Sequence, residues 1–343
     1  MKIASLFSGA GGLDKGFEEV GFDVVWANEY DKTIWQTFRE NFPHTFLNTK
    51  SITEVTSSEV PDVDGIVGGP PCQSWSEAGS RKGIEDKRGK LFYDYIRMLK
   101  EKQPKFFLAE NVAGILQPKH SKAFTNIINE FELAGYNVSY KLLNANDYEV
   151  PEDRLRVIIV GYHKSLGIKY EFPKPISKTY VLKDAIGDLP SAVPAPSNRT
   201  NGDSLSVANH EYMTGGFSSI YMSRNRVRSW NEPSYTIQAG GRHAPIHPQA
   251  PKMILVGENK RIFEVGKENL YRRLSVRECA RIQTFPDSFV FKYENVADGY
   301  KMVGNAVPVK FAYHLALKIK YDLENLKVGN SLVNLRQKDL FEV

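Results

Sequence analysis

Six short apolar runs alternate with stretches of helical spacing over the first 163 residues, and that alternation limits the chain to few architectures. The runs are KIASLF (2–7), DVVWANE (23–29), DGIVG (64–68), KFFLAEN (105–111), NVSYKLLNA (137–145) and LRVIIVGYH (155–163), and they read as strands. Between them, Leu91, Phe92, Tyr95, Ile96 and Leu99 share one face of a helix, and Phe124, Ile127, Ile128 and Phe131 share another. Strands alternating with amphipathic helices predict an α/β fold, a mostly parallel sheet covered on both sides. Ligands of such sheets sit beyond the carboxyl ends of the strands.

From about 170 to 270 the pattern changes. Pro173, Pro175, Pro190, Pro194 and Pro196 crowd together, and short extended pieces (SSIYM, SYTIQA, MILVG) replace the helices. A separate, loop-rich β region is expected there. SVRECARIQ (275–283) predicts a helix capped by Ser275, with Glu278 completing a capping box. VPVKFAYHLALKIKYDLENL (307–326) predicts a long closing helix, followed after Gly329 by a polar tail. The expected division is 1–170, 171–290, a return over 291–328, and the tail 329–343.

At 343 residues the chain can bury a large domain and a smaller one. It has no run of 18 apolar residues, which excludes a helical membrane span. The opening MKIASLFSGAGG reads as a buried strand rather than a signal peptide. Two cysteines, Cys72 and Cys279, argue against a disulfide scaffold and for a reducing, cytoplasmic setting. The seven histidines show no zinc-ligand spacing, so no metal is expected. Net charge is only +5, yet residues 221–273 carry ten Lys/Arg against four acids, a local +6. That segment is either a phosphate-facing surface or a solvated charged face.

FSGAGGLDKGF (7–17) follows the first strand and opens a helix, where glycines let the backbone approach a ligand. The dinucleotide pattern G-x-G-x-x-G is not met, because Asp14 stands where its last glycine belongs. Glu29 ends the second strand, where an acid can hold ribose hydroxyls. Together they suggest an adenosine-containing cofactor; a tight structural turn is the alternative. GGPPCQSWS (68–76) holds Cys72 in a rigid turn at the sheet's carboxyl edge, a nucleophile's setting rather than that of an inert small hydrophobe. Cys279, inside a helix among charges, has the inert reading. AENV (109–112) brings Glu110 to the same edge, where packing explains a carboxyl poorly. In EDRLRVIIVG (152–161), Arg154 and Arg156 stand two apart and so on one face of an extended chain. Arginine beside a thiol also favours the thiolate.

FSGAGGL, GGPPCQ, AENV, DRLRV, RRLSVRECARIQTFP (272–286) and GYKMVGNAVP (299–308) resemble, in order, the successive motifs of the DNA cytosine-5 methyltransferases. The resemblance runs from residue 3 to about 320. SRNRVRSWNEPSYTIQA (223–239) and HPQAP (247–251) are similar to stretches of the HaeIII-type, GGCC-specific bacterial modification enzymes. The resemblance implies a Rossmann-like S-adenosylmethionine-dependent methyltransferase sheet with helices on both faces, plus a smaller loop-rich β target-recognition domain. It implies S-adenosylmethionine as methyl donor, double-stranded DNA as partner, a monomer, and a possible cognate restriction endonuclease. It assigns Phe7, Gly9, Ala10, Gly12, Glu29, Tyr30, Ser51, Ile52, Pro71, Asn305 and Ala306 to the cofactor. Cys72 becomes the nucleophile, Glu110 the carboxyl on the cytosine ring, and Arg154 and Arg156 the assisting arginines, with Arg154 on O2. Gln73, Ser74, Ser76, Arg224, Arg226, Arg228 and Arg242 fall to DNA. One departure stands out. Where the family usually has an aspartate for the adenine amino group, NTKSIT (48–53) has Ser51, whose hydroxyl can still accept that hydrogen bond.

The chemistry so implied is attack of the Cys72 thiolate on carbon 6 of a flipped-out cytosine, with residues 74–90 as a loop closing over the base. Three rivals are methylation of transfer RNA, a catalytically silent DNA-binding relative and a dinucleotide oxidoreductase. The sizeable 170–270 region, the intact Cys72, Glu110 and Arg154, and Asp14 argue against them in turn.

Overall fold

A computed structural model describes residues 1–71 and 91–339 of the chain, apart from the side chains of Asp203 and of residues 327–339. Seven strands make the main sheet: β1 (Lys2–Leu6), β2 (Asp23–Asn28), β3 (Phe46–Asn48), β4 (Gly65–Gly68), β5 (Phe106–Val112), β6 (Tyr136–Asn144) and β7 (Leu155–His163). Each of the six apolar runs becomes a strand. Their order is β3-β2-β1-β4-β5-β7-β6; neighbours from β3 to β5 pair in parallel, and β7 runs antiparallel to both β5 and β6.

Alternation along the strands explains why both faces are covered. Ile3, Val67 and Leu108 point into one core with Leu13 and Phe17 of α1 (Gly12–Val20) and Phe311 and Leu315 of α8 (Val309–Asp339). Ala4, Ile66 and Phe107 point into the other, against Tyr95 and Leu99 of α3 (Leu91–Lys102) and Ile127 and Phe131 of α4 (Ser121–Leu133). A short α2 (Trp35–Asn41) lies between β2 and β3 in the chain. Fully burying one such Leu or Phe contributes about 1.5–3 kcal/mol, so the two faces together decide the topology. The closing helix α8 continues past Gly329 to Asp339, beyond the point where a loose polar tail was expected.

The reversal of β7 matters for function. Its start pairs with the end of β5, Arg156 opposite Val112. The edge that gathers the carboxyl ends of β1, β2, β4 and β5 therefore also receives the first residues of β7.

The 170–270 region is loop-rich, with few strands. α5 (Leu182–Ile186) precedes a parallel pair, β8 (Val193–Ala195) and β9 (Glu211–Met213); β10 (Ile254–Gly257) and β11 (Lys260–Ile262) form a hairpin. Of the three expected extended pieces only MILVG becomes a strand. SSIYM runs into a 3-10 turn (Tyr221–Ser223), and SYTIQA forms only an isolated bridge, Glu152 to Ser234, rather than a strand. Here side chains replace ladders: Arg273 donates to the carbonyls of Gly215 and Gly216 at 3.1 and 2.8 Å. α6 (Val276–Ile282) has the expected box, Ser275 accepting from the Glu278 amide at 3.0 Å while Glu278 accepts from the Ser275 amide at 2.7 Å. With α7 (Val296–Asn305) it builds a third core, in which Leu182, Met213 and Ile237 pack with Phe38, Phe42 and Val303. That core crosses the divisions at 170 and 290. Among the described residues no helix is long and apolar enough to cross a membrane, and no three His, Cys, Asp or Glu side chains cluster as metal ligands.

Candidate active site

Five segments line one cleft of about 340 Å³ at the carboxyl edge: the end of β1 with its following turn, the stretch after β2 bearing Glu29, Asp31 and Ile34, the Gly68–Pro71 turn after β4, the end of β5, and residues 305–307 after α7. Phe7 holds φ at +55°, a conformation that a bulky residue adopts only under constraint from its surroundings. Gly9 has φ +56° with open space where a side chain would stand, so its backbone faces the cleft bare. Gly12 is there for another reason. A Cβ on it would collide with the Val307 carbonyl, so it seats α1 against the 305–307 segment.

Glu29 bridges the first two strands: its carboxylate accepts from the Gly9 amide at 2.9 Å and the Asp31 amide at 2.7 Å. Burial raises its pKa while those two amides pull it down. Asp31 also lines the cleft; burial lifts its pKa, but Lys301 at 2.8 Å and Thr33 outweigh that and leave it below the ordinary value. An aromatic ring, two carboxylates and the exposed amide of Asn305 suit an adenosine-bearing ligand with a cationic end.

Of the residues assigned to the cofactor, Phe7, Gly9, Glu29, Pro71, Asn305 and Ala306 line the cleft. Ala10, Gly12, Tyr30, Ser51 and Ile52 are not on its walls. Ala10 and Ile52 are buried in the cores, Ser51 shares a 2.8 Å hydrogen bond with Thr53, and Tyr30 stands 71% exposed. Sequence reasoning missed Ser5, Asp31 and Ile34; the only available signal was their position beside recognised motifs.

Glu110 and Arg156 meet at the end of β5 and the start of β7, with Arg156 Nε 2.8 Å from Glu110 Oε1 and both side chains largely buried. Burial, aided by the neighbouring charge of Arg154, brings the Arg156 pKa down to about 10, and Glu110 opposes that shift. Asn111 ties this edge to the next, donating from Nδ2 to the Pro70 carbonyl at 3.1 Å. Glu110 thus stands beside the turn that runs into Cys72. Cys72 itself, with Gln73, Ser74, Ser76 and the 74–90 loop, lies outside the described residues.

Arg154 requires a correction. It is 1% exposed, and its guanidinium donates to the carbonyls of Ile237 (3.1 Å), Gly304 (2.9 Å) and Ala306 (2.9 Å). A group so enclosed is turned away from the cleft, and it is Arg156, paired with Glu110, that stands at the sheet edge. Spacing by two put both arginines on one face, but the turn leading into β7 separates them.

The basic segment is likewise reapportioned. Arg226 donates to the carbonyls of Tyr221 and Ile220, and Arg228 is held by Asp153 (3.0 Å) and Glu232 (3.3 Å). Arg272 forks onto Glu278 at 2.8 and 2.7 Å. Among the described residues, exposed Arg224 and Arg242 make no hydrogen bond or ion pair. Of the four arginines assigned to DNA, Arg226 and Arg228 are thus engaged internally, and Arg224 and Arg242, on separate turns, are the two without such partners among the described residues.

The family model for C-5 cytosine-specific DNA methylases matches residues 1–321. The Type II methyltransferase M.MthTI of Methanothermobacter thermautotrophicus is 62% identical over 327 residues, 95% of this chain and 99% of that protein. The Type II methyltransferase M.FnuDI of Fusobacterium nucleatum is 58% identical over the full length of both. A solved structure of Spodoptera frugiperda DNMT2 superposes with a TM-score of 0.66 at 19% identity, covering 93% of this chain and 99% of that one, a likeness of fold.

Proposed function

The chain belongs to the C-5 cytosine-specific DNA methylases, and from that premise we propose that it methylates carbon 5 of a cytosine flipped out of a GGCC site in duplex DNA, with S-adenosylmethionine as donor and within a restriction–modification system. The observation that carries this reading is the Glu110–Arg156 pair, set beside the turn into Cys72 and at the mouth of a cleft suited to an adenosine-bearing ligand. Phe7, Glu29, Asp31 and Asn305 would hold S-adenosylmethionine, which when bound supplies an electrophilic methyl group.

Carbon 5 of cytosine is a poor nucleophile, and the protein's task is to enrich it. The Cys72 thiolate adds to carbon 6, forming a C–S bond and pushing an electron pair toward carbon 5. Glu110 engages the N3 and exocyclic-amine edge, and the Arg156 charge beside it offsets the negative charge delivered to the ring. After methylation, loss of the carbon-5 proton expels the thiolate and frees the enzyme. A stacked base cannot be reached in this way, and extruding it costs about a few kcal/mol.

The GGCC assignment rests on the likeness at 223–239 and 247–251 and on the free Arg224 and Arg242, since arginine pairs bidentately with guanine in the major groove. Duplex DNA carrying 5-fluorocytosine at the target tests the chemistry, because fluorine cannot leave as a proton. A covalent adduct stable in denaturing gels is expected with the wild type and not with Cys72→Ala. No adduct with the wild type, or an equal adduct with the variant, would contradict the mechanism.

A further inference from the structure

Two buried charges sit just ahead of β7 in a place where neither can touch a base. Glu152 is fully buried; its Oε1 accepts from the Ile237 amide at 2.6 Å and faces the Arg154 guanidinium at 3.5 Å. Arg154 uses one nitrogen on the Ile237 carbonyl and the other on the carbonyls of Gly304 and Ala306. The residue between those two carbonyls is Asn305, which is exposed and lines the cleft. Gly304 is pressed so closely on the Gln238 backbone that a Cβ there would collide with it. The wall bearing Asn305 is thus clamped from inside, with Ile237 as the fixed point.

We propose that Arg154 is a positioning residue for the cofactor: balanced by Glu152 and anchored on Ile237, it holds the carbonyls on either side of Asn305 and so fixes that amide in the cleft. A planar guanidinium suits this task, because a single rigid fork satisfies three carbonyls at once. The negative partner keeps the buried cation compensated without drawing it away from them. This rests on the reading of the cleft as the S-adenosylmethionine site.

Arg154→Lys keeps the charge and its balance with Glu152 but replaces the fork by a single ammonium. Its S-adenosylmethionine Kd by calorimetry should rise about tenfold (a change of about 1.4 kcal/mol). KM for the cofactor should rise in parallel, with kcat falling less than about threefold. Because Arg154 acts through Asn305, Arg154→Lys combined with Asn305→Ala should bind the cofactor about as weakly as Asn305→Ala alone. Independent, multiplying losses, or a cofactor affinity unchanged in Arg154→Lys, would overturn the proposal. If Arg154→Lys does not accumulate as folded protein, Glu152→Gln carries the test. It keeps the acceptor for Ile237 and removes only the balancing charge; about threefold weaker cofactor binding is expected, and wild-type affinity overturns the claim. Wild-type protein that binds no S-adenosylmethionine would instead remove the functional reading itself.

Discussion

Asp14 stands in the first turn of α1 with no exposed surface, and neither carboxylate oxygen finds a hydrogen bond among the described residues. Burial lifts its pKa from 3.8 to about 7; the nearby Ser5 hydroxyl and its own backbone amide pull the other way, and the charges of Glu18 and Glu29 add to the rise. Between about pH 4 and 7 the unfolded chain releases a proton that the folded chain keeps, so this group's contribution to stability falls as pH rises through that window. Asp14→Asn cannot titrate. Its unfolding free energy from urea titration should gain on the wild type as pH goes from 4 to 8, by a few kcal/mol at most; parallel curves would show that the carboxyl is not the buried, protonated group described. Sequence alone located this residue only as a missing glycine. Whether a polar side chain finds a partner depends on what the fold brings near, as the two arginines of DRLRV also show. Arg156 stands in register with Val112 and so meets Glu110, whereas Arg154 was misplaced because the carbonyls it serves lie more than 80 residues away.

At the scale of elements, β3 (Phe46–Asn48) and α2 (Trp35–Asn41) are too short to show a local period, whereas the other six of the seven strands and the longer helices were legible because each is written in one, two or 3.6. The capping box of α6 was legible for the same reason: Ser275 and Glu278 satisfy each other's orphan amides within four residues. The 170–270 region was not, since its backbone is satisfied by distant side chains such as Arg273 rather than by ladders. Its arginines divide accordingly. Arg228, paired with Asp153 and Glu232 and stacked 4.3 Å over Tyr235, is a structural brace. Arg228→Ala should cost about 1 kcal/mol of stability or less and leave site preference unchanged. Arg224→Ala and Arg242→Ala should behave otherwise. Removing an arginine that reads a base relaxes methylation at one position of the site, worth about 1–3 kcal/mol of discrimination. Removing one that grips a phosphate weakens binding to every sequence alike and lowers the salt slope by about one unit. If both variants keep wild-type preference in methylation of a randomised duplex pool, these two turns do not read the sequence.

For the whole molecule, the decisive feature is that one edge of one sheet collects parts that the chain scatters over 300 residues. Parallel strands deliver the turn after β1, the Gly68–Pro71 turn and Glu110, and the reversed β7 adds Arg156 to the same edge. The local +6 of the 221–273 segment was a weaker guide to DNA than it looked, because several of its cations are spent on internal carboxylates and carbonyls. What distinguishes this molecule is therefore its edge chemistry together with a loop-rich 170–270 region that shares a core with α6 and α7. The most direct test is transfer of labelled methyl from S-adenosylmethionine to matched substrates: a duplex with one GGCC site, the same duplex with that site scrambled, and transfer RNA, with the product mapped by bisulfite sequencing. Label is expected in the GGCC duplex alone, as 5-methylcytosine within the site; label in the transfer RNA, or methyl on any atom other than carbon 5, would rule out a GGCC-directed cytosine-5 DNA methylase.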